Sequence, residues 1–344
     1  MERVHTYADH GKRCGFRPCP TPQLFFFMPT LDTLTSVPLG DVDQWVRIRS
    51  RDPSRPVLLI LYGGPGLPLL PRVPDLGERA GLEDHFTVAY WEQRGTGKSY
   101  HPALPATAMT IDRFVEDVIE LSDHLRERFA TEAIGLFGTS WGSVLGLRAL
   151  ARAPERFWGY VGAAQLVDVR ESDRRSYEFT LDEARRRENE SAVEALESIG
   201  PPPYSPTEMM TQRKWLGKFG GMRHDEPPPG PAARLWDVLT TSAYSWRDVW
   251  HIARDPFFAL NHLLDELAAV DLTETVSRVE RPVYLLHGRH DRLAPPSLAQ
   301  SYLDQLDAPA KEWVWFEHSA HFPFLEEPER FGEVMGTVAS EIAR

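Results

Sequence analysis

Ser140 lies in Gly138-Thr139-Ser140-Trp141-Gly142, a Gly-x-Ser-x-Gly frame that follows the apolar run Ala133-Ile134-Gly135-Leu136-Phe137. A short buried strand that breaks into small residues and then enters a helix-forming stretch, here Trp141 to Ala153, makes a sharp turn that presents the serine as a nucleophile. The flanking glycines keep the strand and the helix from colliding with that turn. A serine hydroxyl is weakly nucleophilic at its own pKa, so a base must take its proton and an acid must hold the base in one tautomer. Glycine-serine turns are also ordinary loop elements, and the pentapeptide alone does not separate the two readings.

The partners occur downstream in the order serine, acid, histidine. Asp291 ends Pro282-Val283-Tyr284-Leu285-Leu286-His287-Gly288-Arg289-His290-Asp291, an apolar strand that delivers a carboxylate to the following loop. His321 follows Glu312-Trp313-Val314-Trp315-Phe316, again a strand succeeded at once by a loop. Each residue sits just past the carboxyl end of an expected parallel strand, where open α/β sheets place their chemistry. Competitors exist among the 12 histidines, notably His318, His287 and His290, with His318 expected at the strand end. Asp168, after the apolar stretch Gly159 to Leu166, is a second possible acid. A tetrahedral oxyanion also needs two N–H donors. Trp141 supplies one, and Gly64, in the loop Tyr62-Gly63-Gly64-Pro65-Gly66, supplies the other.

The elements that must position these residues alternate. A hairpin is expected near Ser36 to Arg49 with Gly40-Asp41 in its turn, then strands at Val57–Leu61, Thr87–Trp91, Ile134–Phe137, Tyr160–Ala164, Val283–His287 and Glu312–Phe316. Helices are expected at Thr110–Phe129, Trp141–Ala153, Pro296–Gln305 and Pro328–Ile342. In the first helix Ile111, Phe114, Val115, Val118, Leu121 and Leu125 recur at helical spacing and should pack on the sheet. This is the pattern of a mostly parallel α/β sheet covered on both faces. Between Asp168 and Asp271 it gives way to charged amphipathic stretches. Glu171–Arg175, Asp182–Arg186 and Glu183–Arg187 are spaced for i,i+4 pairing. Proline clusters at 201–203 and 227–229 divide the stretch into arms. It reads as an inserted helical cap. Its aromatic residues, Tyr204, Trp215, Phe219, Tyr244, Trp246, Trp250, Phe257 and Phe258, are expected mostly in the cap core. Glu178 and Glu208 are conceivable anchors for a substrate amine.

The Gly-Gly-Pro-Gly loop, the segment Trp91-Glu92-Gln93-Arg94-Gly95-Thr96-Gly97-Lys98-Ser99, the elbow Gly-Thr-Ser-Trp-Gly-Ser and the ending Ser319-Ala320-His321 together resemble the proline iminopeptidase branch of the α/β-hydrolases. The resemblance covers most of the chain from residue 37 onward. It implies the α/β-hydrolase fold, catalytic Ser140, Asp291 and His321, and oxyanion donors at Gly64 and Trp141. Three departures stand out: Tyr62 replaces the family's usual histidine, and Glu92 its usual aspartate. The Trp-x-x-Trp-Glu segment that carries an amine-binding glutamate has no counterpart, Trp246-Arg247-Asp248-Val249-Trp250-His251 having a different spacing.

The expected organisation is an N-terminal arm over 1–30, a first core part over 31–167, the cap over 168–271 and a second core part over 272–344. With 50 acidic against 38 basic residues and a net charge of −12, nucleic acid is not an expected partner. No apolar run reaches the roughly 20 residues of a membrane span. Cys14 and Cys19 read as free thiols on the arm, and Leu24-Phe25-Phe26-Phe27-Met28 is too short and too late for a signal-peptide core, so a cytoplasmic location is expected. The expected activity is that of a serine hydrolase working through an acyl-enzyme on a small amide or ester, without cofactor or metal. The partner would be a small molecule or a short peptide. A proline-type aminopeptidase is one form; esterase, lactonase, thioesterase and acyltransferase chemistry are alternatives, as is a hydrolase-fold protein that binds a ligand without turnover. Epoxide and haloalkane hydrolysis are disfavoured, because those relatives carry aspartate where this chain has Ser140.

Overall fold

The computed structural model describes residues 30–224 and 230–342, so Cys14, Cys19, the arm over 1–29 and Pro227–Pro229 lie outside the described residues. Eight strands form one sheet in the order β1-β2-β4-β3-β5-β6-β7-β8. They are β1 (Leu31–Leu39), β2 (Val42–Ser50), β3 (Val57–Leu61), β4 (Thr87–Trp91), β5 (Ile134–Thr139), β6 (Phe157–Ala163), β7 (Val283–Gly288) and β8 (Lys311–Phe316). β1 and β2 are an antiparallel hairpin, longer at its start than the pattern from Ser36 suggests, and β2 runs antiparallel to β4. The other pairings are parallel. β3, β4 and β5 are buried at every position, as strands covered on both faces must be.

Alternation along the strands sorts side chains into two layers. Leu59, Leu61 and Leu136 face α1 (Ile111–Phe129) and α2 (Trp141–Arg152), meeting Phe114, Val118 and Val144. Leu58, Ile60 and Phe137 face the opposite layer, which contains Phe324, Phe331 and Met335. α1 begins where Thr110 accepts a hydrogen bond from the Arg113 N–H, and the six apolar residues at helical spacing are all buried.

Between β6 and β7 the described chain is helical: α3 (Val169–Arg186), α4 (Glu190–Ile199), α5 (Pro206–Lys218), α6 (Pro231–Thr240), α7 (Trp246–Arg254), α8 (Phe258–Ala268) and α9 (Leu272–Thr275). The insertion leaves and rejoins the sheet through a neck where Asp168 bridges Asp271, Val169 N donates to Val270 O, and Leu272 N donates to Val167 O. After the neck come α10 (Pro296–Gln305), α11 (Pro323–Glu326) and α12 (Pro328–Ile342). The i,i+4 pairs Glu171–Arg175 and Glu183–Arg187 form, whereas Arg186 pairs with Glu183 rather than Asp182.

The insertion has its own small core, in which Tyr204, Trp215 and Phe219 pack against Tyr177 and Leu196. Trp246, Trp250 and Phe257 do not join it; they are 83%, 62% and 43% exposed. α7 explains the first two, because the side it turns inward carries Asp248 and His251. Asp248 pairs with Lys98 at 2.8 Å and His251 lies edge-on to Tyr100, which turns the tryptophans outward.

A buried ion pair fastens the hairpin to the rest of the sheet. Arg94 Nε and Nη2 donate to the two Asp117 oxygens at 2.8 Å each, and Gln44 Nε2 donates to Asp117 at 2.8 Å. Arg94 Nη2 also donates to Leu39 O at 3.1 Å. Removing one member of such a pair leaves the other buried and uncompensated. Asp117→Ala should therefore lose about 3–5 kcal/mol in denaturant unfolding at pH 7; a change near 0.5 kcal/mol would show that the hairpin is held by its apolar contacts alone.

Candidate active site

β5 ends in Thr139 and α2 begins at Trp141, which leaves Ser140 alone to reverse the chain. It does so with φ +53°, a conformation that side-chain-bearing residues hold only when the surroundings enforce it. The enforcement is visible. Ser140 N donates to Ala163 O at 3.2 Å, and Ser143 donates to Ser140 O from its N–H at 2.9 Å and from its hydroxyl at 2.5 Å. Ser143 Oγ in turn accepts from Leu166 N at 3.0 Å. At Gly142 a Cβ would run into the Leu61 carbonyl oxygen, so the α2 start can lie against β3 only without a side chain there.

The glycine loop after β3 abuts the serine: a Cβ at Gly63 would stand 3.4 Å from Ser140 Cβ. Trp141 is the first residue of α2, where N–H groups have no acceptor within the helix and the helix dipole favours negative charge. Gln93 joins the two sides. Its Nε2 donates to Tyr62 O at 3.0 Å and its Oε1 accepts from the Trp141 indole at 2.8 Å. The Tyr62 side chain lies edge-on to Phe324.

Asp291 and His321 are both buried and in contact, His321 Nδ1 standing 2.8 Å from Asp291 Oδ2. The other carboxylate oxygen accepts from Leu293 N at 2.8 Å and Ala294 N at 2.9 Å. These bonds aim the carboxylate. The histidine loop is anchored by two glutamates that its sequence pattern gives little reason to single out. Glu326 accepts from Ala320 N at 3.0 Å and Phe322 N at 3.3 Å, on either side of His321, and from His224 N at 2.6 Å. Burial pushes its carboxyl upward, opposed by those backbone donors. Glu327 accepts from His318 N at 3.0 Å and Ser319 Oγ at 2.6 Å. From the insertion, Met222 O accepts from His321 N at 3.1 Å and Gly221 O accepts from Arg292 N at 3.0 Å.

The competitors are placed otherwise. Asp168 caps α3 through the Glu171 N–H at 2.9 Å. His318 is exposed in the turn beyond β8 rather than at the strand end, and His290 stacks on His224 with centroids 3.6 Å apart. His287 is buried beneath the pair; its Nε2 accepts from Gln165 N at 2.9 Å, and burial brings its pKa down to about 4, which leaves it neutral. The two glutamates conceivable as amine anchors are engaged. Glu178 pairs with Arg174 at 2.5 Å on the exposed side of α3, and Glu208 closes the capping box of α5 by accepting from Ser205 N at 2.7 Å. Among the described residues, no group of three or more His, Cys, Asp and Glu side chains is arranged for a metal ion, and no helix is long and apolar enough to cross a membrane.

The family model described as alpha/beta hydrolase fold matches residues 56–328. A probable aminopeptidase of Bacillus subtilis (strain 168), YbaC, is 30% identical over 299 residues, covering 86% of this chain and 93% of that protein. A proline iminopeptidase of Heyndrickxia coagulans is 25% identical over 291 residues, covering 83% and 91%. The crystal structure of a proline iminopeptidase-related protein from Thermus thermophilus superimposes with a TM-score of 0.59 at 23% identity, covering 91% of this chain and 98% of that one, which shows a shared fold. With an eight-stranded sheet of this topology and a family match over most of its length, the chain belongs to the α/β-hydrolase fold family and is an enzyme of the hydrolase type.

Proposed function

We propose that Ser140 is the nucleophile, His321 its general base and Asp291 the acid that orients that base, in an acyl-enzyme mechanism on a small amide or ester. The observation that carries this reading is the buried 2.8 Å contact between His321 Nδ1 and Asp291, beyond the carboxyl ends of strands of the same sheet whose β5 leads into a serine held at positive φ. With Nδ1–H donating to Asp291, Nε2 is the acceptor. Ser140 Oγ would attack the substrate carbonyl carbon while its proton passes to Nε2. The oxyanion would be met by the Gly64 and Trp141 N–H groups. Collapse breaks the bond to the leaving amine or alcohol, which takes the proton from His321. Water then attacks the ester of Ser140, losing a proton to Nε2; collapse breaks the bond between the acyl carbon and Ser140 Oγ, which takes that proton back from Nε2 as the carboxylic acid leaves. The insertion between residues 168 and 271 would act as a cap over this site, excluding water and selecting the substrate.

The relatives' names make the amide of an N-terminal amino acid the first substrate to test on this chain. A second reading, an ester or amide that needs no free amine, draws on one observation: Glu178 and Glu208 already have partners. Anilides of proline and alanine, their N-acetyl counterparts and short-chain aryl esters separate the two. An amine-reading cap should turn over only the free-amine anilides, and an esterase should be indifferent to acetylation.

Ser140→Ala and Asp291→Asn should each lower kcat on whichever substrate is active by about 10³-fold or more, with the fold intact by circular dichroism. Activity within tenfold of the parent in Ser140→Ala would remove the serine mechanism. Gln93→Ala leaves the three reacting side chains in place but unties the two oxyanion donors. It should cost about 10- to 100-fold in kcat, with KM little changed.

A further inference from the structure

Glu92, the residue immediately after β4, is fully buried and engaged on both oxygens. Oε1 accepts from Leu69 N at 3.0 Å, Leu70 N at 3.1 Å and the Tyr244 hydroxyl at 2.5 Å. Oε2 accepts from Lys98 N at 2.6 Å. Gly97, at φ +51°, makes room for it, since a Cβ there would overlap Oε2. The longer glutamate thus has a cradle of its own.

The donors come from three places. Leu69 and Leu70 close the segment that begins with Gly63 and Gly64; Lys98 belongs to the loop after β4; Tyr244 lies in the insertion, between α6 and α7. Two ion pairs flank Tyr244 and fasten the same arm to the core: Arg72 with Asp237 of α6, and Lys98 with Asp248 of α7. Burial raises the Glu92 carboxyl above its ordinary range while Tyr244 and the three N–H groups pull it back. Burial, and then the neighbouring carboxylate, push the Tyr244 hydroxyl well up, so it remains a donor at neutral pH.

We propose that the Glu92–Tyr244 contact is a latch that couples seating of the α6–α7 arm to placement of the Gly64 N–H donor, making both residues positioning residues. The inference rests on the reading of Ser140 as nucleophile. The glycine segment is held at its start by Gln93 on Tyr62 O and at its end by Glu92 on Leu69 and Leu70. A substrate that fits beneath the seated arm leaves both ends fastened. One that lifts the arm pulls Tyr244 off Glu92 and loosens the far end of the segment, so discrimination is expressed in kcat more than in KM.

The test is Tyr244→Phe in the full chain, assayed with p-nitrophenyl acetate and with a bulkier aryl ester. The latch predicts that kcat falls by about tenfold on both, with KM within about twofold, the circular dichroism spectrum unchanged and the melting temperature lowered only modestly by the lost hydrogen bond. An unchanged kcat on the acetate, with only KM raised for the bulky ester, would mean that Tyr244 is merely pocket wall and would overturn the proposal. Asp248→Asn, which frees the arm without touching Glu92, should give a smaller loss that disappears in the Tyr244→Phe background; strictly additive losses would deny the coupling. Ser140→Ala runs in parallel. Retained activity there sinks the nucleophile, whereas an inactive Ser140→Ala beside an unaltered Tyr244→Phe sinks only the latch.

Discussion

The single constraint on which this structure turns is the reversal of chain direction at Ser140 within one residue. β5 must end, α2 must begin, and the serine between them must adopt φ +53°. Such a conformation costs of order 1–3 kcal/mol and persists only when the surroundings over-determine it. Here the supports are specific: the parallel register that brings Ala163 O to Ser140 N, the hydroxyl of Ser143, and the missing side chain at Gly142. The buried strands on either side of β5 therefore do more than form a core, because they make an otherwise unfavourable turn the lowest-energy path for the chain.

Around that turn the molecule fastens two sides separately. The elbow and the glycine segment are joined by Gln93, while Glu92 ties the far end of that segment to the loop after β4 through backbone N–H groups. The acid and histidine loops are joined by Asp291, Glu326 and two carbonyls of the insertion. In each case a buried carboxylate, costly to remove from water, is offset by several N–H donors. Those same donors would otherwise be orphaned in loops that have no secondary structure to satisfy them. Carboxylate and loop solve each other's problem.

Much of this was legible from residue order. The apolar runs at Val57–Leu61 and Thr87–Trp91 match strands to the residue, because a strand covered on both faces leaves an uninterrupted apolar signature bounded by polar turns. Ser140, Asp291 and His321 lie beyond the ends of β5, β7 and β8, where the run-then-loop pattern put them. The pattern failed where orientation, rather than composition, decided the outcome. Trp246 and Trp250 look like core residues until Asp248 and His251 of the same helix turn toward Lys98 and Tyr100. Glu326 and Glu327 follow a proline-containing stretch with nothing local to mark them, and their role depends on backbone donors that only the folded loop presents. Glu92 could be seen as a departure, but not as a junction, since Tyr244 lies far from it in the chain.

The neck at Asp168 and Asp271 has a consequence for how such a protein can change over time. The chain between Asp168 and Asp271 leaves and rejoins the sheet at two adjacent points, so to the strands it amounts to one long connection whose closure cost rises only slowly with length. Apart from residues such as Val169, Ala259, Leu263 and Leu267, which pack into the core beside the sheet, the side chains of α3 to α8 lie outside the strand pairings of β6 and β7. Selection for a new substrate and selection for a foldable sheet can therefore act in part on separate stretches of one gene, meeting where α8 packs into the core and where Gly221, Met222, Asp237, Tyr244 and Asp248 cross to it.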